Sequence, residues 1–138
     1  MTLFRPVGIK ELALIAEAGH RAFPPRLHWQ PIFYPVLNFA YAAQIAREWN
    51  TVDENSGFCG FVTRFDVDDA FVGRYDVQVV GHAAVHQELW VPAEELAEFN
   101  RHLIGRIEVV AAYYGPRFDG EIDPSLALPS SLLPPSAV

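Results

Sequence analysis

The residue of this chain best placed for chemistry is Glu88, a carboxylate that opens the apolar segment Leu89-Trp90-Val91 and follows the stretch Gly81-His82-Ala83-Ala84-Val85-His86. An acid at the start of a strand emerges at the sheet edge beside the preceding loop, where it can stabilise positive charge developing on a substrate. Most carboxylates at strand ends are simply solvated, so position alone leaves both readings open. His82 and His86 stand four apart, a spacing that juxtaposes side chains only on a helix, and Gly81 starts a loop there. They read as loop histidines, and no metal site is expected. Cys59 has no basic neighbour in sequence to lower its pKa and reads as a buried structural thiol. Asp66, Asp68 and Asp69 form the one dense acidic cluster. The phosphate-loop, Gly-x-Ser-x-Gly and His-Glu-x-x-His signatures are all missing, which sets those enzyme classes aside.

The elements that must carry these residues follow from periodicity. Leu3-Phe4-Arg5-Pro6-Val7 alternates as a short strand, with Pro6 placing it at an edge or a strand end. Ile9, Leu12, Ile15 and Ala16 recur at helical spacing up to Gly19, a C-terminal stop. Phe23 to Pro31 is an aromatic, proline-stiffened loop. Ile32-Phe33-Tyr34 reads as a strand, and Asn38 caps a helix to about Trp49 whose apolar face carries Phe39, Ala42, Ile45, Ala46 and Trp49. Phe61 to Val67 alternates with period two, Asp68-Asp69 leads into a helical turn, and Val77 to Val80 and Gln87 to Val91 are further strands. Pro92 opens a short helix ending near Asn100, and Ile107 to Tyr113 closes the body as a last strand.

Together these predict one α+β domain over residues 1–116, with a small mixed, mainly antiparallel sheet or sheets and two or three short helices. From Arg117 the composition turns to Asp, Pro, Ser, Leu and Ala, so 117–138 is expected to be a disordered or loosely docked tail. The 138 residues carry a net charge of -7 with basic residues scattered, which opposes broad duplex nucleic-acid binding. Apolar runs are interrupted well before the ~20 residues a membrane span needs. The single cysteine and the lack of a signal-like opening stretch predict a reducing cytoplasm.

The stretches Leu3 to Gly8, Gln30 to Asn38, and Glu88 to Leu96 with Phe99-Asn100 resemble a family of small bacterial proteins labelled "ADP-ribosylation/crystallin J1", over about Leu3 to Tyr114. That label belongs to the larger, all-helical, magnesium-dependent ADP-ribosylglycohydrolases, which this chain is too short and too strand-rich to match. The order of segments resembles instead the ADP-ribosyltransferase fold, in which an early strand offers Arg or His, a second strand followed by a helix offers Ser, Thr or Tyr, and a late strand begins with Glu. Arg5, Tyr34 and Glu88 stand in that order.

The resemblance implies NAD as the nucleotide substrate and an unidentified acceptor. Glu88 would stabilise the charge that develops on ribose as nicotinamide leaves, and Arg5 would hold a phosphate or ribose oxygen through its planar fork of donors. Tyr34 would stack on nicotinamide, with Phe23 or Trp29 covering it from the loop. This reading expects Arg5, Tyr34 and Glu88 around one pocket. The alternative is a non-catalytic binding module on the same fold, with Trp29, Trp90 and the proline loop as a partner surface and the three residues dispersed or mutually satisfied.

Overall fold

Alternation in the first residues produces strand β1 (Thr2–Val7), which buries Leu3, Arg5 and Val7 on one face. It pairs antiparallel with β3 (Cys59–Val67), and β3 pairs antiparallel with β7 (Leu103–Tyr114), giving the order β1-β3-β7. These elements belong to a computed structural model that describes residues 1–81 and 86–122. The fold is α+β, with four α-helices among the described residues: α1 (Ile9–Glu17), α2 (Phe39–Glu48), α3 (Asp69–Val72) and α4 (Leu96–Arg101). Two small antiparallel pairs complete it, β2 (Ile32–Phe33) with β6 (Val91–Pro92), and β4 (Val77–Val79) with β5 (Gln87–Leu89). The strand expected over Gln87 to Val91 is thus divided, one half serving each pair, and Pro92 both ends β6 and caps the tight helical turn Ala93–Glu95 that leads into α4, as expected.

Helix α1 buries Leu12 and Ile15, and Gly19 follows it with φ of 67°, the left-handed conformation that glycine adopts without strain. Helix α2 starts where Asn38 Oδ1 accepts from the Tyr41 amide at 2.8 Å, a cap contributing about 1 kcal/mol. Its buried stripe is Ala42, Ala43 and Ala46, whereas Trp49 is 69% exposed, contrary to the expected apolar face. Small residues prevail because the helix backbone lies against β3: a Cβ on Gly60 would come within 2.6 Å of the Ala46 carbonyl oxygen.

Strand β7 begins four residues earlier than the Ile107 expected from sequence. Gly105 takes a φ of 74° inside a register shift opposite Arg64 and Asp66, so the sheet absorbs as a bulge what reads in sequence as a break.

Two clusters form the core. The larger joins Leu3, Val7, Leu12 and Ile15 to an aromatic group in which Phe23 packs on Phe33 and Phe65 at 5.0 and 4.8 Å between ring centroids. The smaller, on the α2 side, holds Val36, Ala42, Ala43, Ala46 and Val62, with Phe4 against it. Beyond residue 116, Arg117 lies 4.6 Å over the Phe58 ring and Phe118 packs on Tyr114, so the first part of the expected tail is docked. Residues 123–138 lie outside the described part. No helix among the described residues is long and apolar enough to cross a membrane.

Candidate active site

The edge of β1 explains why a cleft exists. Phe4 and Val36 exchange both backbone hydrogen bonds, at 2.9 and 2.8 Å. In that register the next partners are Pro6 and Tyr34, and proline has no N–H to give. The ladder stops after one bridge, and the Tyr34 carbonyl accepts from Arg5 Nη1 instead, at 3.4 Å. Where the strands part lies a cavity of about 480 Å³, lined by Arg5, Pro6, Tyr34, Val36, Glu88 and Trp90 together with Ile45 and Val80. Arg5, Tyr34 and Glu88 therefore border one cavity, as expected from their order along the chain.

Glu88 reaches this cavity through a second single bridge, to Val36. The bond from the Leu37 amide to the Gln87 carbonyl (3.0 Å) and that from the Leu89 amide to the Pro35 carbonyl (2.9 Å) flank it. Val36 thus ties β1 to β5 and sets Glu88 on the side of the sheet that faces α2. There the carboxylate is held twice: Oε2 accepts from the Tyr41 hydroxyl at 3.1 Å, and Oε1 from Trp90 Nε1 at 2.8 Å. Burial, reinforced by the Glu88 charge and hydrogen bond, pushes the Tyr41 hydroxyl up to about 12, so it stays a donor at neutral pH. The His86 ring stacks on Tyr41 at 4.6 Å, with Nε2 3.3 Å from Gln44 Oε1.

Arg5 is placed differently. Strand alternation points it to the opposite face of β1, where Nε and Nη2 donate to the two Glu11 carboxylate oxygens at 2.7 and 2.9 Å. Its guanidinium lies 4.6 Å over the Phe33 ring, and the residue is 8% exposed. Arg5 accordingly supports the cleft wall, with one donor on Tyr34 and two on Glu11.

Of the aromatic residues expected to cover a ligand here, Tyr34 borders the cavity and is 40% exposed. Phe23 does not: it is buried in the core, its backbone held on both sides by the Asn100 amide (2.9 and 3.0 Å). Trp29 stands on a different cavity. Tyr41 is the site residue that periodicity misses, since its signal, a hydroxyl one turn into an Asn-capped helix, gains meaning only once Glu88 faces α2.

The other candidates are structural. Asp68 Oδ2 accepts from the Phe71 amide as the cap of α3, Asp66 accepts from the Thr2 hydroxyl, and Asp69 pairs with the amino terminus. Among the described residues no group of three or more His, Cys, Asp or Glu is disposed to hold a metal ion. His82 lies outside the described residues. Cys59 is fully buried, and burial pushes its thiol up to about 11 against the opposing hydrogen bond from Ile9. Iodoacetamide at mildly alkaline pH should therefore label the folded chain far more slowly than the denatured one; equal rates would mean the thiol is accessible.

No known family model, curated protein or solved structure matches the chain.

Proposed function

We propose that this protein is an ADP-ribosyltransferase-like protein of the cytoplasm that takes NAD into the Glu88 cleft and transfers its ADP-ribosyl group to an acceptor. The observation that supports the reading is the shared cavity of Arg5, Tyr34 and Glu88, with a carboxylate oriented by Tyr41 and Trp90. In the reaction the bond between ribose C1′ and nicotinamide nitrogen breaks, and nicotinamide leaves with the electron pair. The acceptor nucleophile then bonds to C1′ and releases its proton to solvent. Glu88 stabilises the positive charge on the sugar, which is larger in the transition state than in bound NAD. Tyr34 offers its exposed ring to nicotinamide.

Calorimetric titration with NAD, followed by measurement of nicotinamide release, tests this. Glu88→Gln keeps the side-chain volume and should lower release about 100-fold while leaving NAD binding nearly intact. Absence of binding at millimolar NAD sinks the reading.

One observation favours a second reading, a non-catalytic binding module. Arg5 and Glu88 are each satisfied internally, by Glu11 and by Tyr41 with Trp90, while Trp90 stays 45% exposed. A chain that binds no NAD but retains this geometry belongs to that class.

A further inference from the structure

A second cavity, of about 560 Å³, lies on the α1 side of β1, between the start of α1 and the loop over residues 24–30. Its charge runs against that of the molecule. The chain carries a net charge of -7, yet Arg5, Lys10 and Arg26 line this cavity against only Glu11 and Asp53. Glu11 is paired with Arg5 through both oxygens and Asp53 accepts from the Ser56 hydroxyl and the Asn55 amide, which leaves Lys10 and Arg26 as the cations of this lining with no carboxylate bound to them among the described residues.

Arg26 is left without a carboxylate. Its Nε donates to the Ile32 carbonyl at 3.1 Å, and among the described residues it forms no ion pair. Burial and the adjacent Arg5 charge hold its pKa below the ordinary arginine value, partly offset by Glu11. A half-buried guanidinium without a counter-ion is costly, and an entering oxyanion would relieve that cost through the planar fork of donors. Lys10 adds an exposed ammonium, and the first-turn amides of Lys10 and Glu11 have no helical carbonyl upstream to bond. The loop that carries Arg26 also brings Trp29 and Leu27, 64% and 53% exposed, to this cavity.

We propose that this cavity binds a small molecule in which one oxyanion group, carboxylate or phosphate, is joined to a flat ring. Arg26 and Lys10 hold the oxyanion and Trp29 stacks on the ring. The proposal does not rest on the reading of the Glu88 cleft.

Calorimetric titration of the full chain with adenosine 5′-monophosphate and with phenylacetate, beside their uncharged counterparts adenosine and phenylacetamide, tests it. At least one anion should bind, about tenfold or more tighter than its neutral counterpart. Binding of the nucleotide alone identifies phosphate as the group recognised, binding of phenylacetate alone identifies carboxylate, and binding of both shows that either oxyanion suffices. Arg26→Gln should weaken binding, but Arg26 also anchors the loop. Lys10→Gln and Trp29→Ala, both at exposed positions, should therefore each weaken it about tenfold without loss of folding. Glu88→Gln should leave it unchanged, and nicotinamide release, which adenosine 5′-monophosphate cannot give, reports on the other cleft alone. No binding by either anion, equal binding of the neutral compounds, or parental affinity in the Lys10 and Trp29 variants overturns the proposal.

Discussion

Replacing Glu11 by alanine should lower folding stability by about 3 kcal/mol, read as a shift of the urea midpoint at unchanged slope. The reason is what remains behind. Arg5 is 8% exposed on a strand of the central sheet, and Glu11 supplies both oxygens that satisfy it. Without that carboxylate the guanidinium stays desolvated over the Phe33 ring, with only a long bond to the Tyr34 carbonyl. The magnitude belongs to breaking a buried pair from one side and not to the pair itself, which a hydrophobic replacement of both members can match. The double variant Arg5→Met with Glu11→Leu should accordingly be less destabilised than Glu11→Ala alone. A loss below about 1 kcal/mol for Glu11→Ala would place the pair with ordinary surface ion pairs.

Phe99→Ala should cost about 3–5 kcal/mol, the range for truncating a fully buried aromatic side chain. Phe99 is 0% exposed on α4 and meets Phe33, Phe65 and Phe71 edge-on at 5.4, 6.2 and 6.2 Å between centroids. It touches aromatic residues from β2, β3 and α3 at once, so the cavity left behind cannot collapse from one side. Phe99→Leu, which retains much of the volume, should cost markedly less. Equal costs for the two would show that ring contacts rather than filled volume set the stability.

Much of the frame was readable from local pattern. The alternation in β1, the Asn38 cap and the Gly19 stop are each decided within a few residues and the structure keeps them, whereas β3 alternates only from Thr63 onward, because Val62 is buried against α2 on the other face. The misreadings arise where distant parts of the chain decide. Phe23 reads as a loop aromatic beside Pro24-Pro25, but Asn100, far along the chain, bonds its backbone on both sides and draws it into the core. Trp49 completes an apolar helical stripe in sequence, yet α2 rests on its alanines because Gly60 admits the helix backbone, and the indole is left outside. Strand β7 extends past Gly105 because β3 offers it partners across the bulge.

The site was legible in the same uneven way. The order Arg5, Tyr34, Glu88 singled out residues that border one cavity. Nothing in the sequence marks Glu11 as the partner of Arg5, because a separation of six across a strand, a glycine and a helix matches neither repeat. Tyr41 reads in sequence as neither apolar stripe nor chemistry, since only the Val36 bridges turn Glu88 toward it.

Those bridges also bear on the order of assembly. Phe4, Val36 and Glu88 are brought side by side by bonds through a single residue, whereas β1, β3 and β7 are joined along ladders of six or more residue pairs. The ladders close stretches of chain as long as the bridges do but return many contacts for the entropy lost, whereas the bridges return few. The ladders can form without the Val36 connection, but the Glu88 cleft cannot. On these grounds the central sheet is expected to fold before the cleft, an order that transition-state analysis by mutation would check. Opening at Val36 would change the shape of the cleft while the sheet behind it stays closed, at the cost of uncovering a side chain that is buried in the smaller core cluster.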